Sequence, residues 1–469
     1  MAWDVSRDGS WIAFTTNSVR GEASQDEKEI WLMAADGSQA HKLFKSDPNI
    51  GVCCIHFFPE EHRLGYIISN SSGDKFVTRD LNGGPVTTLF TPSDMKNIGD
   101  SVWLSGGKLL YSDRCDPAGI PPDASCNFWI ERVDVRTGKV IETPKRLTNW
   151  FGFAIFGPST SADGKRVAFL ENRALGVSHI ADFAMGGTQL VNVRRFMLEE
   201  SRDDSVRDWT ADGKTLIVAH LERDHYQISK QSLNGDMPES VVTGGTGGAE
   251  RAIVSPDGKW IILQVNTSKT DTVPFKTILP VMRVPIAGGT PEPIFTVREG
   301  AWIMCARPPS NLCVVAEATE DLKDMTVTAF DPVKGRGSEL ARFTLDEPPF
   351  QGELLSYLSP DGSRLAISRS PRGPIEIHSL RGQHTITIPT TGLDSLGYIK
   401  WSADGKGLFV STHKQGVLEI LHLDLRGKAT VIWKCNQPWT CSANPSPDGR
   451  HLAIREVEQN ANIFMIENF

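Results

Sequence analysis

A chain of 469 residues with 39% apolar and 23% charged side chains is too long for one ordinary core and too apolar for disorder, so several domains or a repeat array are expected. Its net charge of −8 shows no basic surplus, which argues against a nucleic-acid partner. No apolar run approaches the roughly 18 residues of a membrane helix, so no direct membrane segment is expected.

The chain opens on a strand, Ala2 to Ser6, that runs through Asp8-Gly9 into Trp11-Ile12-Ala13-Phe14. Asp-Gly between apolar strands signals a hairpin, because both residues tolerate the positive φ of tight turns. The same turn heads a strand at Asp163-Gly164, Asp212-Gly213, Asp257-Gly258, Asp361-Gly362, Asp404-Gly405 and Asp448-Gly449. Successive turns lie 155, 49, 45, 104, 43 and 44 residues apart. The two long gaps approximate three and two periods, and so predict three degenerate units. These are found at Phe58-Pro59-Glu60-Glu61 before Leu64 to Ile68, at Ser105-Gly106-Gly107 before Leu109 to Tyr111, and at Pro308-Pro309-Ser310-Asn311 before Cys313 to Val315.

Each unit carries a second hairpin. Ile30 to Met33 turns at Asp36-Gly37 into His41 to Phe44, Phe76 to Thr78 turns at Asn82-Gly83-Gly84 into Val86 to Leu89, and Leu418 to Leu423 turns at Arg426-Gly427 into Ala429 to Trp433. Two hairpins make a four-stranded meander of about 40–50 residues, the blade of a β-propeller. No amphipathic helix is predicted. The expected fold class is all-β, a β-propeller with about ten four-stranded blade units. These form one large ring or two tandem propellers, because typical rings hold about four to eight blades. The least repeat-like stretch, Asn149 to Ser161, suggests a seam, with units one to three in 1–150 and units four to ten in 151–469. The chain ends on what reads as a third strand, Asn462 to Ile466. The last unit is therefore expected to lack its fourth, either because the chain is part of a longer protein or because that blade has three strands. The N-terminus shows no signal-peptide pattern.

The recurring Ser255-Pro256-Asp257-Gly258, Ser359-Pro360-Asp361-Gly362 and Ser446-Pro447-Asp448-Gly449 resemble the TolB-like propeller repeat, and this resemblance covers essentially the whole chain. Narrower segments, Thr210 to Thr215, Cys305 to Cys313, Ala329 to Gly337, Ala403 to Ser411 and Met465 to Phe469, look like the C-terminal region of bacterial receptor-like serine/threonine protein kinases. Similar repeats follow winged-helix DNA-binding domains in bacterial regulators and precede the hydrolase domain of prolyl-oligopeptidase-type peptidases. The resemblance implies a sensor or interaction part of a longer protein, periplasmic or extracytoplasmic and membrane-anchored, with a cytoplasmic setting as the alternative.

The chain itself shows no catalytic apparatus. Kinase loops are missing; Asp182-Phe183-Ala184 resembles an Asp-Phe-Gly triplet without its partner motifs, and Gly244 to Gly248 lacks the Lys-Ser/Thr of a phosphate loop. No Gly-x-Ser-x-Gly elbow occurs. Eleven histidines lack metal-ligand spacing, and the closest pair, His220 and His225, reads as surface; no metal and no cofactor are expected. The turn aspartates are explained by backbone hydrogen bonds, and the tryptophans by packing between blades. Cysteines fall in local pairs. Cys115 with Cys126, Cys305 with Cys313, and Cys435 with Cys441 suit disulfides of an oxidising compartment, although unpaired thiols in a cytoplasmic protein fit the same spacing. Cys53 and Cys54 should point to opposite faces of a strand and stay unbridged. The functional expectation is a binding module for a protein, peptide or small-molecule ligand at one mouth of the propeller. Arg207, Asp208 and Arg251, each shortly before an Asp-Gly turn, are the candidate binding residues; read blandly, they are ordinary blade-end charges.

Overall fold

The computed structural model describes residues 2–467 except 19–26, 48–49, 59–61, 114–125, 151–152, 162, 185–187, 197–203, 223–224, 236–237, 243–248, 266–276, 346–354, 369, 371, 383 and 436–440. Strand accounts for 65% and helix for 1%, so the chain is all-β, built largely of four-stranded antiparallel sheets consistent with propeller-like folds. Among the described residues the helical part is one short turn, Pro92–Met95, capped by the Thr91 hydroxyl.

Each unit opens on a leading strand, and the leading strands are numbered here in chain order. They are β1 (Trp3–Val5), β2 (Gly51–Phe57), β3 (Ile98–Leu104), β4 (Ala154–Thr160), β5 (Asp204–Trp209), β6 (Ala249–Val254), β7 (Trp302–Cys305), β8 (Leu355–Leu358), β9 (Ser395–Trp401) and β10 (Cys441–Pro445). The three degenerate units are thus real, with leading strands β2, β3 and β7. Within a sheet, burial falls from the second strand to the fourth. Cys313–Ala318 is buried along nearly its whole length, whereas Gly335–Thr344 of the same sheet is mostly exposed. Apolar side chains of the early strands fill the space between neighbouring sheets, as where Trp302, Val314, Tyr357, Ile367, Trp401 and Val410 share one core.

The turn after each leading strand explains why the sequence repeats. In Ser255-Pro256-Asp257-Gly258 the Ser255 hydroxyl donates to Asp257 Oδ1 (2.6 Å) and accepts the Trp260 N–H (3.0 Å). Asp257 Oδ1 also accepts the Lys259 N–H (3.1 Å), and Gly258 sits at φ +70°. The same bonds recur around Asp8, Asp163, Asp212, Asp361, Asp404 and Asp448.

These bonds predict an acid sensitivity. The Ser161 hydroxyl holds Asp163 below the usual carboxylate range, and the Thr210 hydroxyl does the same for Asp212. At Asp361 burial opposes ionisation, but hydrogen bonds from Ser359 and Ser363 and the charge of Arg364 outweigh it and hold the group at about 2. Each carboxyl binds its proton less readily folded than unfolded. It therefore stabilises the fold above the ordinary carboxylate pKa and loses that contribution as pH falls through the folded value. The urea midpoint should hold steady from about pH 7 to 5 and drop between about pH 4 and 2. A midpoint that does not move over the lower interval would show that these bonds add nothing net.

The chain divides into two units: Met1–Arg173 with Asn460–Phe469, and Ala174–Gln459. Two long strands, Arg166–Phe183 and His451–Glu467, contribute residues to both. In the first unit β1, β2, β3 and β4 are neighbours in succession. The Asp4 carboxylate accepts the Phe57 N–H across β1 and β2 (2.8 Å), and the Asp100 carboxylate accepts the Gly157 N–H across β3 and β4 (2.7 Å). Among the described residues its fourth sheet has three strands, β4, 166–173 and 460–467, the last held by Arg166–Glu467 (3.1 Å) and a Phe169–Phe464 stack.

In the second unit β5 to β10 also follow one another as neighbours, and β10 contacts β5. The sheet of β10 has four strands: β10, 451–459, 174–183 and Leu190–Phe196. This corrects the expectation of an incomplete last unit. Residues 462–466 pair with the fourth unit, and the tenth takes its outer strands from mid-chain. Phe183 N–H donates to Arg450 O (2.9 Å), and Asp182 pairs with His451 (2.7 Å), which gives Asp182 of the apparent kinase-like triplet a structural partner.

The cysteines divide. Cys305–Cys313 and Cys435–Cys441 are disulfides, the first between residues directly paired across β7 and the next strand. Cys126 is disulfide-bonded, and Cys115 lies outside the described residues. Gly244 to Gly248 also lies outside them. His220 is buried at 3% exposure in Thr215–Glu222, which corrects its reading as a surface histidine; the side chain of His225 is not described.

Candidate functional site

The turn-side ends of β5 to β10 carry a charged cluster, and a repeated backbone rule places it. Two residues before the turn-hydroxyl position (filled by Ala306 after β7), a side chain accepts the N–H of the next leading strand. Asp208 takes the Val254 N–H (2.8 Å) and Met304 Sδ takes the Leu358 N–H (3.2 Å), as Asp4 does in the first unit. Lys400 occupies this position in β9 and has no acceptor to offer. Its neighbour in β10 is Pro445, which has no N–H to satisfy. A cation is therefore tolerated here without orphaning a backbone donor.

Of the expected binding residues, Asp208 is buried and forms an ion pair with Arg307 from the turn after β7. The guanidinium carbon of Arg251 lies over Trp302, 3.3 Å from the ring centroid. Arg207 is partly buried, and its carbonyl accepts from Asn444 Nδ2 (3.0 Å). Lys400 Nζ stands over the Tyr357 ring at 5.3 Å and makes no ion pair or hydrogen bond among the described residues. Burial lowers its pKa to about 8; Asp208 works against that, and Arg307 and Arg251 reinforce it. The four charges therefore sense one another. Arg307 matches Asp208, whereas Lys400 has no carboxylate partner among the described residues and stands in the field of two guanidinium groups, beside two aromatic faces. The buried Trp302 indole N–H has no acceptor among the described residues.

Asp208 and Arg251, which the sequence singled out, lie in this cluster, and Arg307, Lys400, Trp302 and Tyr357, which it did not single out, lie beside them. Lys400 was within reach of sequence reasoning, because it stands two residues before the Ser402 turn just as Asp208 stands before the Thr210 turn. Among the described residues no group of three or more His, Cys, Asp or Glu is placed to hold a metal ion. A separate cavity of about 360 Å³ lies among outer strands of the second unit, walled by Leu190, Val193, Val431, Ile432 and Trp433 and without a charged lining residue. Among the described residues no helix is long and apolar enough to cross a membrane.

No family model matches the chain, and no curated protein matches it. Its structural neighbours include TolB-like β-propeller proteins. A TolB-type protein of Agrobacterium tumefaciens is similar at 17% identity and a TM-score of 0.45, over 60% of this chain and 99% of that one. A chain of a nidogen/laminin complex is similar at 13% identity and a TM-score of 0.41, over 54% of this chain and 92% of that one. A prolyl endopeptidase is similar at 15% identity and a TM-score of 0.28, over 81% of this chain and 53% of that one.

Proposed function

We propose that Ala174–Gln459 is a six-bladed propeller closed between β10 and β5, and that the mouth of its channel at the Asp-Gly turns binds the anionic group of a ligand. Two equivalent bonds support closure. Trp401 Nε1 donates to the Tyr357 carbonyl of the preceding leading strand (2.9 Å), and Trp209 Nε1 donates to the Asn444 carbonyl in the same way (3.0 Å). The ammonium of Lys400, without an ion pair or hydrogen bond among the described residues and in the field of Arg251 and Arg307, in a chain of net charge −8, supports the ligand class. Carboxylate and phosphate oxygens share the required chemistry. The module acts by binding. On the strength of its TolB-like repeats and its disulfides, we place it as the extracytoplasmic sensor part of a receptor-like serine/threonine kinase, recognising a protein, peptide or small molecule.

The test is thermal unfolding of the chain at pH 7 with succinate, inorganic phosphate, or a short peptide bearing a free C-terminal carboxylate or its amide. At least one anion should raise the midpoint, and the shift should vanish in the Arg251→Ala/Lys400→Ala double variant. The arms separate phosphate from carboxylate, and the amide separates peptide termini from carboxylates in general. A bound anion favours the ammonium form of Lys400, so the shift should shrink as pH rises from 7 to 9, through the value of about 8. No shift with any probe, or a shift kept in the double variant, would overturn the reading.

A further inference from the structure

A second site lies in the first unit, at Cys53 and Cys54 in β2. The two thiols are unbridged, as expected, but adjacent residues of a regular strand point to opposite faces, and that was expected here too. The structure corrects this. The pairing of β2 with Arg63–Asn70 shifts between Cys53 and His56: Cys53 faces Ile67 and His56 faces Gly65, so Cys54 and Ile55 together oppose Tyr66 alone. Two residues against one is a β-bulge, and Cys54 takes the left-handed conformation at φ +56°. For a residue with a Cβ that conformation is strained, and it persists only where the surroundings impose it. The bulge turns both side chains to one side and brings the sulfurs to 2.8 Å. That separation falls between a disulfide bond of about 2.05 Å and an ordinary non-bonded contact of about 3.5–4 Å.

Two further observations point to chemistry. Cys54 is exposed, Cys53 is partly so, and both are free thiols. The remaining described cysteines, Cys126, Cys305, Cys313, Cys435 and Cys441, are all disulfide-bonded. An environment that oxidises those pairs also reaches this exposed one.

We propose that Cys53 and Cys54 are a dithiol–disulfide exchange site, which closes to a disulfide between adjacent residues by reaction with a small-molecule or protein disulfide. Cys54 is the attacking sulfur. The hydrogen bond from Cys53 lowers the Cys54 pKa, and the same bond raises that of Cys53. The Cys54 thiolate attacks one sulfur of the oxidant, forming a mixed disulfide and expelling one thiolate. The Cys53 thiol then gives its proton to that thiolate and attacks the Cys54 sulfur, and the second thiolate leaves. The pair loses two electrons and two protons, and the oxidant becomes two thiols.

The experiment uses the full chain, mildly reduced so that the structural disulfides survive and then exposed to oxidised glutathione. After acid quenching, denaturation and alkylation, the tryptic peptide 46–63, which holds both cysteines, is weighed. The expected product is this peptide lighter by two hydrogens and carrying neither an alkyl nor a glutathionyl group. In Cys53→Ser the reaction should stop with one glutathione on Cys54. In Cys54→Ser, glutathionylation of Cys53 at pH 7 should be at least tenfold slower. A doubly alkylated wild-type peptide, or one that keeps glutathione at equilibrium, would overturn the proposal, and neither outcome depends on the variants folding.

Discussion

Replacing Trp209 with alanine is expected to lower the unfolding free energy of the second unit by about 3–5 kcal/mol, the range for deleting a fully buried aromatic side chain. Trp209 has 0% exposure and shares a core with Ile180, Leu216, Val218 and Ala453. Ala453 and Ile180 belong to the second and third strands of the sheet of β10, and His451 of the same sheet stacks against the indole. The indole N–H also bonds Asn444. One side chain therefore joins the first sheet of the unit to its last. A Trp209→Phe variant keeps most of the ring and loses the N–H, and should cost nearer 1 kcal/mol for the bond, plus the smaller volume. Urea unfolding followed by circular dichroism checks both. A Trp209→Ala cost below about 1 kcal/mol would mean that the site collapses onto itself, and that β5 and β10 do not depend on each other.

The second large effect is at Asp208. Removing one partner of a buried ion pair costs about 3–5 kcal/mol, mostly because the other charge is left without compensation. Arg307 keeps 24% of its side chain exposed, so Asp208→Ala should fall near the lower figure. It also removes the carboxylate that accepts the Val254 N–H. Asp208→Asn retains an acceptor for that N–H and should be milder. The double variant Asp208→Ala/Arg307→Ala should recover part of the loss, because it removes the stranded cation from among Arg251 and Lys400. Additive single and double variants would show that water screens the pair completely.

The repeat was legible because its chemistry is local. A hydroxyl, an aspartate and a glycine within six residues close their own hydrogen bonds, so every copy can be read wherever it stands. Even the degenerate units, in which Phe58, Ser105 and Ala306 replace the usual motif, kept their period. The site was only half legible for the opposite reason. Asp208 and Arg307 are 99 residues apart, and nothing near Arg307 signals a carboxylate partner. Local periodicity also misled at Cys54, where a bulge overrides strand alternation.

The division of the chain shows the same contrast. The break in period suggested a seam between 150 and 151, whereas the contacts divide the chain at Arg173 and Ala174 and again at Gln459 and Asn460. By itself, the sequence determined strand, turn and blade-like unit, since each is closed by neighbours along the chain. Only the tertiary structure decided which units belong together, where the last strand pairs, and which charges meet at the turns of β5 to β10. Those outcomes rest on pairings such as Asp182 with His451, separated by 269 residues, which strand propensity and turn chemistry leave unspecified.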